Sequence, residues 1–376
     1  MAEPGPQRVL VLNAGSSSLK YRVLDVASGT ASVQGQVERV TDVHQALATV
    51  HDRIASAGVG EADLIAVGHR VVHGGARLVR PTLVDDDVLA EIENATRLAP
   101  LHNPPALAGI RSARAEYPHL PQVAVFDTAF FANLPAAAAT YALDAEASAR
   151  AGIRRYGAHG ISHEYVAGEA ARLLDRDPAE LDQIVLHLGS GASAAAIRGG
   201  RPVDTSMGFT PLEGLVMATR GGDLDPGILL HLLRHGGLDV DGLEELLHHR
   251  SGLAGLAGHP DFRDLLAALD AGDERARAAY DVYVHRLRKY VGAYLAVLGG
   301  ADVLTFTGGV GQWAPRLRAD SLAGLQPLGI EIDPERNTAD QPGPRRISAA
   351  GSAVTVLVVP TDEELSIARQ TLAVLG

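Results

Sequence analysis

Continuous apolar runs that end in small polar turns recur along the chain. Residues 9–12 (VLVL) form one such run, which stops at Asn13-Ala14-Gly15-Ser16-Ser17-Ser18 before residues 20–26 resume as a second strand. Residues 184–188 (IVLHL) repeat the first element and Gly189-Ser190-Gly191-Ala192-Ser193 repeats the turn. Returning strands follow over 194–202, with Gly199-Gly200 as the expected hairpin. Leu12-x-x-Gly15-Ser16 and Leu186-x-x-Gly189-Ser190 therefore hold equivalent places in two halves, although so short a match also arises by chance. A third glycine-rich turn, Thr307-Gly308-Gly309-Val310-Gly311, follows an apolar strand over 303–306. Helical periodicity marks 276–298 and 363–375.

A length of 376 residues exceeds one ordinary core and predicts two domains. The Pro/Ala-rich stretch 134–141 marks the crossing, and Pro360-Thr361-Asp362 marks a return. The expected division is 1–138 plus 365–376, and 139–364, with both crossings as hinge candidates. A net charge of −12 argues against a general nucleic-acid or anionic-membrane surface. Cysteine is absent, which removes disulfides, thiolate metal sites and a cysteine nucleophile. No basic stretch leads into a long apolar one near Met1, and no run reaches the roughly 18 apolar residues of a membrane helix. The expectation is a soluble cytoplasmic protein.

Small residues after a buried strand let backbone N–H groups approach phosphate oxygens, and Lys20 adds positive charge beside the first turn. The pattern GxxxxGK[ST] is missing, so this is not a P-loop protein. Each turn alone could simply reverse the chain.

The segment 11–20 (VLNAGSSSLK) resembles the N-terminal signature of acetate kinases, and 204–214 (DTSMGFTPLEG) resembles their second. Similar blocks follow in family order: GHRVVHGG at 68–75, LHNPP at 101–105, VFDTAF at 125–130 and RRYGAHGISH at 154–163. They continue with MATRGGDLDP at 217–226, FTGGVG at 306–311 and PTDEEL at 360–365. The resemblance implies an α/β fold of two domains, the acetate and sugar kinase, Hsp70 and actin (ribonuclease H-like) type. Each half would carry a duplicated mixed five-stranded β-sheet, with the nucleotide in a cleft. It also implies a homodimer using ATP, Mg²⁺ (or Mn²⁺) and a short-chain carboxylate.

By the same resemblance Arg70 holds the substrate carboxylate, Arg220 stabilises the moving phosphoryl group and His159 donates to it. His102 is a further phosphate-side histidine. Asp127 orients the phosphates or Mg²⁺, although an aspartate at a strand end also serves as a helix N-cap. Glu363 is the magnesium-associated glutamate, with Asn13 beside the metal, and the adjacent Glu364 competes for that role. Asn13, Ser16, Ser18 and Lys20 form the first phosphate-proximal group. His187, Gly189, Ser190, Gly191, Gly308, Gly309, Val310 and Gly311 form the nucleotide side. A carboxylate acceptor is already ionised, so charge neutralisation and in-line positioning are what such residues must supply.

Val72, Leu101 and Pro211 stand at apolar positions of the acid pocket, and Ala158 replaces the family phenylalanine. The missing ring predicts a wider pocket favouring propionate or a longer acid, unless another side chain refills the space. Ser190 replaces an asparagine of HLGNG, and Gln312-Trp313 stands where Glu-Asn is common, which opens the nucleotide preference. Two alternatives stand beside the acetate reading: a same-fold kinase for butyrate, a branched or a substituted acid, and a nucleotide-binding regulator that has lost catalysis. A sugar kinase is disfavoured, because two arginines at the acceptor suit an anion.

Overall fold

The computed structural model describes residues 7–15 and 18–376, so Ser16 lies outside the described residues. The chain divides into two compact units. Unit 1 comprises Met1–Ala132, Ala158–Tyr165 and Asp362–Gly376; unit 2 comprises Asn133–Gly157 and Val166–Thr361.

Unit 1 holds β1 (Arg8–Ala14), β2 (Ser18–Asp25), β3 (Ala31–Glu38), β4 (Leu64–Val71), β5 (Thr82–Leu83) and β6 (Gln122–Phe126). They form one sheet in the order β3-β2-β1-β4-β6-β5, with β1, β4 and β6 mutually parallel and the other pairs antiparallel. The apolar run of β1 is buried on both faces, which explains why it does not alternate. Leu10 and Leu12 pack with the helix Val43–Ser56, whereas Val9 and Val11 pack with Val123, Val125, Ile367 and Ala368. The latter two belong to the helix Glu363–Leu375, which lies on β1, β4 and β6. Asp362 caps that helix by accepting from the Leu365 N–H, and also accepts from Arg22 at 2.6 Å.

Unit 2 repeats the scheme with β7 (Asp182–Leu188), β8 (Ala192–Arg198), β9 (Arg201–Thr205), β10 (Val303–Thr307), β11 (Arg345–Arg346) and β12 (Thr355–Val358). Its order, β11-β12-β10-β7-β8-β9, is the unit 1 order read from the other edge, and β7, β10 and β12 are parallel. The glycine-ended strands β1 and β7 occupy the same place in their sheets. Their turns close alike, Gly15 N–H donating to Ser18 O at 2.8 Å and Gly189 N–H to Gly191 O at 2.9 Å. Gly199 and Gly200 make the β8–β9 hairpin with φ of 54° and 74°, as a two-residue primed turn requires. The 25-residue helix Glu274–Leu298 packs on β7 and β8.

Two expectations are corrected. Each sheet has six strands rather than five, the extra one a two-residue edge strand, β5 or β11. The segment after β10 is not a turn but a short helix, Gly308–Trp313, which begins directly at the strand end. Among the described residues no helix is long and apolar enough to cross a membrane.

Candidate active site

Strand register decides which side chains of unit 1 share a face. Asn13 pairs with Lys20, Val11 with Gly68, and Arg70 with Val125. Asn13, Lys20 and Arg70 therefore lie on the face covered by the helix Glu363–Leu375, near the carboxyl ends of β1 and β4. Asp127 follows β6, its N–H donating to Val71 O at 3.0 Å, and falls on the same face. Ligand sites in open α/β sheets form at such strand ends.

Arg70 and Asp127 make a two-point pair, Nη2 to Oδ2 at 2.8 Å and Nε to Oδ1 at 3.4 Å. Glu363 Oε2 lies 3.5 Å from Arg70 Nε, while Glu364 lies 3.9 Å from Arg22. Of the two glutamates, Glu363 is thus the one that joins Arg70. Asp127 opens no helix; its side chain, 2 % exposed, belongs to this ion cluster instead. Burial pushes its carboxyl up to about 6, with Arg70 pulling down and Glu363 pushing up. For Arg70 burial disfavours the charge, but Asp127 and Glu363 outweigh it and the pKa rises.

Buried hydrogen bonds tie three of the sequence blocks together. Asn103 accepts from the His73 N–H at 3.1 Å and donates to His73 O at 2.9 Å, and Thr128 Oγ1 accepts from the Gly74 N–H at 3.1 Å. His69 and His73 are both held at a pKa of about 4 by burial and so are neutral. His159 stands at the start of the helix Gly160–Leu173 with φ of +58°, a left-handed conformation that costs a non-glycine residue about 1–3 kcal/mol. The next N–H, of Gly160, donates to Asp127 O at 2.9 Å, which brings His159 to the Asp127 segment. Ala158 is buried, Val72 half-buried, and Leu101 and His102 exposed.

In unit 2, Arg220 donates from Nη1 to Pro211 O at 2.8 Å, so these two residues meet. Among the described residues it forms no ion pair, and burial lowers its pKa. A half-buried guanidinium held by a carbonyl keeps its charge for an external anion. The Arg220 loop is fixed by Met217 N–H to Arg220 O at 2.9 Å and by Ala218 N–H to Ser190 O at 3.0 Å, which joins it to the second turn.

A cavity of about 460 Å³ opens beside that turn, lined by Gly189, Ser190, Gly309 and Val310 among others. Its size suits a small-molecule ligand. Gly308 and Gly311 are buried, packed toward Leu188 and Phe306, and His187 is buried in β7. Asp261, Phe262, Arg263 and Tyr283 complete the wall and were not expected from the sequence. Asp261 caps the helix Phe262–Asp270, and that capping signal was the only local mark of the segment. Also unforeseen is the network under the second signature. Arg155 pairs with Glu213 at 2.6 Å, the Tyr141 hydroxyl donates to Glu213, and that hydroxyl accepts from the Phe209 N–H at 2.9 Å.

Two mixed six-stranded sheets that repeat one strand order define the fold class of the acetate and sugar kinases, Hsp70 and actin. The profile of the acetokinase family matches residues 34–369. An acetate kinase of Streptomyces avermitilis is 51 % identical over 397 residues, covering 99 % of this chain and 98 % of the relative. The crystal structure of Porphyromonas gingivalis acetate kinase matches with a TM-score of 0.94 at 39 % identity, over 98 % of this chain and 100 % of that one. A propionate kinase from Francisella tularensis subsp. tularensis SCHU S4 matches at 0.92 and 36 %, over 97 % and 98 %. The chain belongs to the acetokinase family, and it is an ATP-using kinase whose acceptor is a carboxyl group.

Proposed function

We propose that the chain transfers the γ-phosphoryl group of ATP reversibly to a short-chain carboxylate, acetate or propionate, by direct in-line attack. The observation that carries this reading is Arg220, a half-buried cation bound to a carbonyl and to no carboxylate among the described residues. Arg220 stabilises charge on the moving phosphoryl group, where a donor present only for the transition state acts on kcat. Arg70 receives the acid. Asp127 engages its Nε and Nη2, so the Nη1 edge is the one offered to substrate. His159 donates to the phosphoryl group. Asn13, Ser18 and Lys20 serve phosphates from the β1–β2 turn, and the cavity beside Gly189 and Ser190 takes the nucleoside. Val72, Leu101, Ala158 and Pro211 are assigned to the acid by resemblance to the family.

Asp127 and Glu363 bring hard oxygen donors together beside Arg70 Nε, the donor type that Mg²⁺ takes. Mg²⁺ keeps several of its waters and so needs few protein ligands. When bound, Mg²⁺ neutralises charge on the phosphate oxygens. A homodimer, a cytoplasmic location and the domains 1–138 plus 365–376 and 139–364 belong to the same reading.

The test is acyl-phosphate formation with Mg-ATP across acetate, propionate, butyrate and isobutyrate, trapped as hydroxamate. We expect turnover, with kcat/KM rising from acetate to the longer acids because Ala158 leaves room. Acetate outperforming the others would remove the wider pocket. No turnover on any acid, in protein that binds ATP, would remove the proposal.

A further inference from the structure

We propose that Trp313 stacks on the nucleobase and sets nucleotide affinity, an inference that rests on reading the unit 2 cavity as the ATP site. Trp313 is the only tryptophan of the chain. It lines the cavity together with Phe262, Leu253 and Val310, yet 60 % of it is exposed. An exposed indole at the edge of an apolar cavity is surface waiting for a flat partner.

The backbone that carries it is locked. Arg318, 1 % exposed, donates from Nη1 to Gly311 O at 2.8 Å and to Gln312 O at 2.7 Å. Arg345 adds a bond to Gln312 O at 3.3 Å. The end of the Gly308–Trp313 helix is thus fixed before any ligand arrives, which lowers the ordering cost of binding.

The acidic side chain on the wall is already engaged, and the tyrosine hydroxyl is out of reach in the interior. Asp261 is engaged by Arg263 at 2.6 and 3.0 Å and by the Arg263 N–H at 2.8 Å. The Tyr283 hydroxyl is buried without a hydrogen-bond partner among the described residues. Recognition therefore falls on ring faces, Phe262 lying tilted by 60° to Tyr283 with centroids 5.2 Å apart, and Trp313 also on the wall. Stacking accepts any base but holds a larger ring system better.

Loss of one base–aromatic stack weakens binding by about 5- to 150-fold. With Trp313→Ala, the KM for ATP should rise by that factor while the KM for the acid stays level. Inhibition by tripolyphosphate, which has no base, should not change, and Trp313→Phe should restore most of the loss. In the parent protein, ADP should quench tryptophan fluorescence in step with calorimetric binding, since all emission comes from Trp313. Calorimetric saturation without a fluorescence change would overturn the proposal. So would equal weakening of ADP and tripolyphosphate by Trp313→Ala. Val310→Trp, which fills the cavity, separates the two levels: if ADP affinity survives it by calorimetry, the cavity is not the nucleotide site, and the underlying reading fails first.

Discussion

Replacing Gly252 with alanine puts a methyl group into the loop that carries Arg220. Gly252 has φ of +59°, and a Cβ there would lie 2.7 Å from Arg220 O and 2.8 Å from Arg220 N, and would also meet Met217 O. These are backbone atoms, held by the bonds of Met217 to Arg220 and to Leu253, so they cannot swing aside as a side chain would. Gly258, at the other end of the same short helix, has φ of +78° and nothing within 4 Å of its Cβ position. Gly258→Ala should therefore cost only the left-handed backbone term, about 1–2 kcal/mol. Gly252→Ala adds overpacking of about 1–3 kcal/mol. A guanidinium moved by about 1 Å should also lower kcat by about 10²-fold, while Gly258→Ala leaves kcat near the parent value. Urea midpoints and kcat at saturating substrates measure both effects. Equal destabilisation by the two variants, with parental kcat in Gly252→Ala, would refute the claim that this packing positions Arg220.

Three further outcomes follow from the same geometry. Arg220→Ala should lower kcat by at least about 10²-fold, whereas Arg70→Ala should chiefly raise the KM for the acid; steady-state kinetics separates them. Asp127 takes up its proton more readily folded than unfolded, so the stability it confers falls as pH rises from about 4 through about 6 and then levels. Urea midpoints across that range should show this slope, and Glu363→Gln, which removes a like charge, should move it to lower pH; an unchanged slope would exclude the coupling. Arg318→Ala removes its bonds to Gly311 O and to Asn337 Oδ1 and O, leaves Gln312 O with Arg345 alone, and should cost at least about 3 kcal/mol, a Tm loss of about 6–12 °C by calorimetry.

The parallel core strands were legible because burial on both faces leaves uninterrupted apolar runs, as in β1, β7 and β10. The edge strands β5 and β11 were not, since two residues carry no periodicity. The pairing of Arg70 with Asp127 was not foreseen, because it depends on register between strands and joins residues 57 positions apart. Arg155, Tyr141 and Glu213 left no local signal, their contacts spanning 58 and 72 positions. Arg318 sits in a helix where an arginine reads as a solvent-facing residue, and its burial comes wholly from tertiary packing. Glu363 and Glu364 are indistinguishable by spacing, and helix rotation against β4 alone sends one to Arg70 and the other to Arg22.

The helix Glu363–Leu375 covers a sheet whose first strand precedes it by most of the chain, Arg22 and its partner Asp362 being 340 positions apart. At roughly 5–20 residues per second, a ribosome leaves Val9, Val11, Val123 and Val125 without their cover for tens of seconds. During synthesis that half-finished face stays an exposed apolar surface. Arg70 and Asp127 also wait, without Glu363, until the helix docks. A chain cut short before residue 363 keeps the Arg70–Asp127 pair yet never assembles the full charge cluster.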